Sequence, residues 1–493
     1  VDSLGHRRAL RPVDSVSVPS LTQAQDNAVA ELMRISPVVD RLGTVFAAAG
    51  HELYLVGGSV RDALLGRLGH DLDFTTSARP DQIERLLKKV SREVWDIGKA
   101  FGTIGCNVEG GWVVEVTTYR ADTYHEDSRK PEVAFGDSLE GDLVRRDFTV
   151  NAMAVDVRTR RFVDPHKGLQ DLAAGVIRTP GTPERSFSDD PLRMMRAARF
   201  TSQLGFTPAP EVVGAMQAMT ERLDIISAER VRDELSKLVL TDRPRDGLNV
   251  FVATGLADRV LPELPALRLE VDEHHRHKDV YEHSLTVLDQ AIELEKERGH
   301  EPDLVLRLAA LLHDIGKPAT RRFEEAGKVS FHHHDIVGAK LARKRMRALH
   351  FSGDETKQVC KLIELHLRFH GYGEGDWTDS AVRRYVRDAG EELERLHILT
   401  RADSTTRNRR RAASLRAAYD HLEERIELLS EQEELDAMRP DLNGDQIMAI
   451  LDVSPGPAVG KAYKFLLELR VDRGPLGEEE AAQLLREWAA DNL

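Results

Sequence analysis

The chain has 493 residues, of which 41% are hydrophobic, 31% charged and only 5% aromatic, and its formal net charge is −14. That length supports about three domains with cores of their own, and no stretch nears the roughly 20 apolar residues of a membrane span, so a helix-rich, soluble protein without a membrane partner is expected. The acidic balance excludes an RNA-coated surface; any RNA site must be a segregated basic stripe, because counterion release depends on local charge.

Residues 1–36 mix Arg, Ser, Val and Pro without a period and read as a flexible arm leading into a helix near Asn27 to Ile35. Arg7, Arg8 and Arg11 in it are either RNA contacts or solvated charges. The arm lacks the apolar core of a secretory signal. Cys106 and Cys360 lie far apart with no Cys-x-x-Cys pattern, so reduced thiols in a cytoplasm are expected.

The stretch LYLVGGSVRDALLGRLGHDLDFT, Leu53 to Thr75, carries the first chemistry. An apolar strand stops at Gly57-Gly58, Ser59 can cap a helix, and Gly66 ends it. The next strand bears Asp71 and Asp73, which share one face while Leu72 turns away. Two adjacent carboxylates need a cation between them, and hard divalent ions such as Mg²⁺ take carboxylates together with phosphates. The glycines leave backbone N–H groups open to a triphosphate. A tight turn with two solvated aspartates is the plainer alternative.

A helix over Asp81 to Val90 follows, then strands Ile104 to Val108 and Trp112 to Thr118 around the turn Glu109-Gly110-Gly111. Glu115 falls opposite Val114 and Val116, either on a wet face or as a third carboxylate at the Asp pair. Residues 119–142 are polar and without a period. Arg145, Arg146 and Asp147 precede a predicted strand, Phe148 to Val157, and forked guanidinium donors suit phosphate oxygens.

From Asp189 the pattern is helical. Pro191 occupies a first turn, and Arg193, Arg196 and Arg199 recur every three residues on one slowly drifting face. Asp190 and Arg193 allow a specificity argument. Cytosine and adenine each present an amino donor beside a ring-nitrogen acceptor, which an accepting carboxylate and a donating guanidinium complement; uracil and guanine present the reverse. A mismatch costs on the order of 1–3 kcal/mol per unsatisfied buried group.

Beyond a helical linker, Arg222 to Leu261, lies a histidine-rich region. His283 opens a helix; a second, Leu304 to Leu312, ends in His313-Asp314 with Gly316 and Pro318 terminating it; a third carries Asp403. Imidazole and carboxylate ligands suit a transition metal or a Mg²⁺/Mn²⁺ centre. His333, His334 and His366 could complete a second metal position. Arg407, Arg409, Arg410 and Arg411 are either an RNA contact or a solvated face. Near the end, Asn443 or Asp445 caps one helix and Pro455-Gly456-Pro457 starts another.

GGSVRD with DLDF, EVTTYR around Glu115, RRDFTVNA and DPHKGLQDL resemble the class II CCA-adding tRNA nucleotidyltransferase and bacterial poly(A) polymerase family, within the polymerase β superfamily. DDPLR resembles its EDxxR motif, with Asp189 replacing the leading Glu. His283, His313, Asp314 and Asp403 match the ligand set of HD-domain metal phosphohydrolases. The resemblance implies an α+β fold: a mixed-sheet nucleotidyltransferase head, then an all-α neck, an HD-type helical domain and a C-terminal helical body. The expected limits are 1–36 arm, 37–178 head, 179–265 neck, 266–405 HD domain and 406–493 C-terminal RNA-binding body.

It implies addition or repair of the tRNA 3′-terminal CCA from CTP and ATP, through attack of the RNA 3′-hydroxyl on the α-phosphate. Asp71, Asp73 and Glu115 would be catalytic, with Mg²⁺ on the aspartates. Gly57, Gly58, Ser59, Arg61, Arg146, Asp190, Arg193, Arg196 and Arg199 would bind nucleotide. A second divalent metal would sit in the HD domain, which would either carry an accessory phosphohydrolase activity or be a structural remnant that supports RNA binding. Competing readings are a poly(A) polymerase and an HD phosphohydrolase whose head only binds nucleotide. Oligomeric state has no sequence signal.

Overall fold

The computed structural model describes residues 21–98, 102–120, 135–136, 138–268, 279–323, 329–369, 377–404, 409–433 and 439–492. Arg7, Arg8, Arg11 and Arg407 lie outside the described residues, as do the side chains of Arg409 and Arg411 and most of the polar stretch after Arg120. The chain forms two compact units, Val1–Pro262 and Glu263–Leu493. Among the described residues, no helix is long and apolar enough to cross a membrane.

The first unit opens with α1 (Leu21–Ala48), which begins upstream of Asn27 and continues through Pro37. A seven-stranded mixed sheet follows, in the order β3 (Val94–Gly98), β4 (Thr103–Val108), β5 (Trp112–Thr118), β2 (Asp71–Thr76), β1 (Leu53–Val56), β6 (Ala154–Asp156), β7 (Phe162–Val163). Only β2 and β5 run parallel within it. The edge strand β3 was not expected, its short VWDIG text having little alternation.

Helices α2 (Gly57–Leu64) and α3 (Pro80–Leu87) link the strands, and Leu72, Phe74, Val114 and Val116 are buried on one face of the sheet. Asp71, Asp73 and Glu115 therefore fall on the other, as strand alternation requires. The hairpin at Glu109-Gly110-Gly111 forms with both glycines at positive φ.

After α4 (Leu139–Val144), the strand predicted over Phe148 to Val157 is confined to β6. A 3₁₀ turn, Thr149–Asn151, occupies its first part. Local polar bonds explain this: Asp147 accepts from the Phe148 N–H (2.8 Å) and the Asn151 amide (2.9 Å), and the Thr149 hydroxyl donates to Asp171 (2.7 Å).

Next come α5 (Gly168–Ala174), the short pair β8 (Val176–Ile177) and β9 (Thr207–Pro208), α6 (Pro183–Asp189) and α7 (Leu192–Leu204). Then α8 (Pro210–Ala218), α9 (Ala228–Val239), α10 (Pro244–Ala253) and α11 (Leu256–Val260) complete the unit. α7 is its spine. Arg193 donates to the Arg145 carbonyl (2.5 Å), Arg196 to Asp147 (2.6 Å) and Arg199 to Glu234 of α9. The guanidiniums of Arg61, Arg196 and Arg199 lie 5.3, 5.4 and 4.4 Å from the buried Phe200 ring.

The second unit packs α12 (Val280–Glu297) against α13 (Leu304–Leu312) and later α18 (Leu393–Asp403). Between them run α14 (Lys317–Thr320), the hairpin β10 (Arg322–Phe323) and β11 (Val329–Ser330), α15 (His334–Ala348), α16 (Gly353–Leu365) and α17 (Asp379–Ala389). Gly316 and Pro318 start α14 rather than merely ending α13, because proline is well placed in a first turn. A Cβ at Gly316 would lie 2.1 Å from the His334 carbonyl oxygen, so only glycine lets α14 and α15 approach this closely. Glu423 of α19 (Arg409–Glu433) accepts from Arg298 (2.9 Å) and Arg401 (2.8 Å). α20 (Gly444–Leu451), capped by Asn443, packs with α21 (Pro457–Arg473) and α22 (Glu478–Asn492) around Ile447, Leu466 and Leu485.

Burial opposes ionisation of Asp147, but Arg196, the Asn151 amide and Arg193 outweigh it and hold the carboxyl well below the usual range. Its contribution to stability is therefore present above the unfolded carboxyl pKa and is lost as pH falls through the lowered folded value. Asp147→Asn is expected to destabilise the first unit by ~2–3 kcal/mol, less than a fully buried pair because the Arg196 side chain is 33% exposed. Urea unfolding should find that difference constant near neutral pH and shrinking below about pH 4.

Candidate functional sites

The first site is built where β1 turns into α2. Helix α2 starts at Gly57, so Ser59 lies inside it and does not cap it. Its hydroxyl instead donates to the Asp71 carbonyl (3.3 Å) and accepts the Asp73 N–H (2.9 Å), tying the glycine turn to the carboxylate strand. Gly57 has φ +65, and a Cβ there would lie 2.8 Å from Nη1 of Arg146 and 3.9 Å from Oδ2 of Asp73. The missing side chain is what admits Arg146 beside Asp73. Arg146 is steadied by Asp142, one helical turn earlier, to which Nη2 donates at 3.0 Å.

The parallel pairing of β2 and β5 sets Asp73 directly beside Glu115. Burial raises the pKa of Asp73, with Arg146 opposing and Asp71 adding to the rise. Glu115 is likewise raised by burial, then by Asp73 and Asp71. Asp73 thus feels Asp71, and Glu115 feels both aspartates, a repulsion a divalent cation would relieve. A cavity of about 300 Å³ opens beside Asp73, and Arg120, Asp142, Arg145, Arg146 and Arg193 line it. Four guanidiniums against two carboxylates suit a polyanion.

Other expected nucleotide contacts are engaged elsewhere. Arg61 is buried, donating to Asn151 (2.7 Å) and to Asp62 (2.8 Å). Gly58 lies against Arg61, 3.4 Å from Nη2 at its would-be Cβ. Arg196 and Arg199 are held in the ion pairs to Asp147 and Glu234. Asp190 accepts the Leu192 N–H (3.1 Å) and an Arg230 guanidinium (2.8 Å). Arg193 donates to Ser186 Oγ (2.9 Å) while lining the cavity. Sequence reasoning missed Arg120 and Asp142; the spacing of four from Asp142 to Arg146 on a helix was the available signal for the latter.

The second site gathers the histidines. His283 Nε2 lies 2.8 Å from Asp403 Oδ1, and His313 Nε2 lies 3.2 Å from Asp314 Oδ2 and 3.4 Å from Asp403 Oδ1. His334 Nε2 stands 3.3 Å from Asp314 Oδ1. Three of these rings are oriented alike. The Nδ1 atoms of His313, His334 and His366 lie 2.8, 2.7 and 2.6 Å from the carbonyls of Ala310, Phe331 and Ile363, each three residues back. Nδ1 must therefore carry the donated proton, which turns Nε2 inward as a lone pair.

Those three Nε2 atoms and Asp314 Oδ1 are buried without a hydrogen bond. His283, His313 and Asp314 form one group with ligand atoms within 4.8 Å, and Asp314, His334 and His366 form another. Asp314 belongs to both, and imidazole with carboxylate donors suits divalent ions, so the residues present fit divalent metal. His333 is exposed at the N-cap of α15 and stays outside both groups. Burial opposes charge on His313, yet Asp314 and Asp403 raise its pKa to about 10. Burial, then the His313 charge, lowers His366 to about 4. A second proton and a divalent ion would thus compete for the same Nε2 lone pair of His313. A cavity of about 470 Å³ bordered by Lys317 gives access.

Comparison with known proteins gives three family matches along the chain. Residues 53–178 match the poly A polymerase head domain, 205–267 the probable RNA and SrmB-binding site of polymerase A, and 280–408 the HD domain. An A-adding tRNA nucleotidyltransferase of Deinococcus radiodurans is 35% identical over 448 residues, covering 89% of this chain and 95% of that enzyme. A CCA-adding enzyme of Lactobacillus johnsonii is 44% identical over 213 residues, 43% of this chain and 52% of its own length. The crystal structure of the Bacillus stearothermophilus CCA-adding enzyme in complex with CTP shares the fold, with a TM-score of 0.67 at 24% identity, over 93% of this chain and 98% of that one. A match of that identity along nearly the whole of the Deinococcus enzyme, together with the carboxylate site on the head sheet, establishes that this chain belongs to the tRNA nucleotidyltransferase family.

Proposed function

We propose that this chain adds or restores the 3′-terminal CCA of tRNA from CTP and ATP. The observation that carries the reading is the set Asp71, Asp73 and Glu115 on one sheet face, beside an arginine-lined cavity. Mg²⁺ is the ion such an all-oxygen set suits; Asp71 and Asp73 would hold it with Glu115 adjacent, and it would supply activation of the RNA 3′-hydroxyl and charge stabilisation at the leaving pyrophosphate. The chain's own part is positioning. Arg146, held by Asp142, offsets the carboxylates and faces the triphosphate with Arg120 and Arg145, while Gly57, Gly58 and Ser59 keep the turn open to it. Arg61, Arg196 and Arg199 act behind this layer as buttresses.

Asp190 and Arg193 read the base by exchanging their present partners for the amino group and ring nitrogen shared by cytosine and adenine. The CTP-bound and CCA-adding relatives support this specificity. The long match to an A-adding enzyme supports a second reading, in which the chain adds only the terminal A. We take 37–178 as head, 179–265 as neck, 266–405 as HD domain and 406–493 as C-terminal body, preceded by an arm, and the working compartment as the cytoplasm; Cys106 and Cys360 are buried and unbonded. In the HD domain, His283, His313, Asp314, Asp403, His334 and His366 hold divalent metal for hydrolysis of phosphoesters, an accessory activity.

The decisive experiment offers tRNA ending before C, after C and after CC to the enzyme with all four nucleotides and Mg²⁺, and sequences the product ends. CCA completion on every substrate is expected; extension only after CC selects the A-adding reading, and long A tails would discard both. Asp71→Ala or Asp73→Ala should abolish addition while metal retained by the second unit is unchanged; persistence of addition refutes the carboxylate assignment.

Gly57→Ala should add roughly 1–2 kcal/mol of backbone strain. It should cost on the order of 10²-fold in kcat/KM, because the methyl displaces Arg146. Steady-state kinetics beside a thermal melt separates the two effects. His366→Ala should lower tightly bound metal, counted by elemental analysis after dialysis, by about half and suppress phosphoesterase activity while nucleotide addition continues. Unchanged metal content would remove His366 from the ligand set.

A further inference from the structure

A chain with net charge −14 that handles RNA must concentrate its cations somewhere, and one helix of the second unit does so. α15 reads HDIVGAKLARKRMRA, with five Lys or Arg residues against the single acid Asp335. Lys340, Arg343, Lys344 and Arg347 follow the spacing i, i+3, i+4, i+7, which puts them on one face, and Arg345 alone turns aside to Glu263 at 2.9 Å. Lys340, Lys344 and Arg347 are exposed and Arg343 is half-buried.

The opposite face is already used. Gly338, Ala339, Ala342 and Met346 are buried, and small side chains there let α16 pack closely enough for the Cys360 thiol to donate to the Ala339 carbonyl (3.3 Å). Cys360 also feels Arg343 and Arg347 as cations and Glu364 as an anion. Beside the basic row α15 exposes one bulky apolar residue, Ile336, its other bulky apolar side chains being committed to the neighbour or partly covered, and a single isoleucine is too little apolar surface for insertion into lipid. What the outer face offers is a row of guanidinium and ammonium donors along two turns, the form that suits a phosphodiester backbone.

We propose that the outer face of α15 is a docking track for the sugar-phosphate backbone of tRNA, formed by Lys340, Arg343, Lys344 and Arg347. This rests on the tRNA reading above. The track contacts phosphates and carries no base specificity, so it sets affinity and salt dependence and leaves the choice of C or A to the head. It also explains how so acidic a chain retains RNA: the charge is segregated onto a helix whose inner face is anchored in the core.

The test measures Kd of full-length tRNA for the full chain as a function of KCl concentration, for the native protein and for Lys340→Gln/Lys344→Gln/Arg347→Gln. Each phosphate contact contributes roughly 0.7–0.9 to the slope of log K against log salt, so the triple variant should flatten the slope by about 2–3 and weaken binding roughly 10-fold or more at low salt. Equal slopes overturn the proposal. Lysine acetylation of the native protein, read by mass spectrometry, gives a measurement independent of any variant's folding. Bound tRNA should protect Lys340 and Lys344, and equal labelling with and without tRNA overturns the proposal as well. A native protein that shows salt-dependent tRNA binding while the variant matches it removes only the α15 track; a native protein that fails to bind tRNA removes the tRNA reading with it.

Discussion

Crowded negative charge on one face of the head sheet, over the interior strands β2 and β5, is the constraint around which the first unit is organised. Parallel pairing of β2 and β5 brings Asp73 level with Glu115, and alternation adds Asp71 to the same face. Burial first, and then the neighbouring carboxylates, raise the pKa values of Asp73 and Glu115, so keeping the group charged is costly. The surrounding structure is arranged to make that tolerable and useful. Ser59 holds the backbone of both aspartates, Gly57 vacates the volume an ordinary side chain would fill, and Arg146 enters that volume under the control of Asp142.

Behind this layer, α7 converts a basic face into a scaffold. Its arginines at every third position suggested a phosphate grip, yet each takes a different partner. Arg193 reaches the Arg145 carbonyl, Arg196 a buried carboxylate in the sheet unit, and Arg199 the neighbouring helix α9. Phe200, edge-on to Phe148 at 5.7 Å, gives the guanidiniums of Arg61, Arg196 and Arg199 a common aromatic surface. The same residues that looked like ligands therefore decide where the cavity-lining arginines stand. A period of three identifies a helix face but carries no information about what that face meets.

The second unit solves a similar problem with nitrogen ligands. His313, His334 and His366 repeat one device, a ring nitrogen hydrogen-bonded to the carbonyl three residues before it, so that helix ends set the tautomer and aim of each imidazole. Asp314 joins the two groups of ligands. Its position immediately after His313 lets one helix end supply two of the candidate ligand side chains. The tight Gly316 contact then brings α15 close enough for His334 to complete the second group.

Local pattern alone was sufficient for what depends on neighbours in the chain: the same-face placement of Asp71 and Asp73, the hairpin after Val108, the helix Leu304–Leu312, a helix cap at Asn443 or Asp445, and the motifs that marked the family. Composition also required that cations be segregated. It could not say that Phe148 would begin a 3₁₀ turn, since the side-chain bonds of Asp147, Thr149 and Asn151 compete with strand pairing only once Asp171 and Arg196 are in place. Nor could it distinguish an arginine that faces a ligand from one buried against a carboxylate, or separate exposed His333 from buried His334. Those outcomes turn on pairings between residues tens of positions apart, where burial makes an unmet charge or donor expensive, and only the tertiary fold determines which partner arrives.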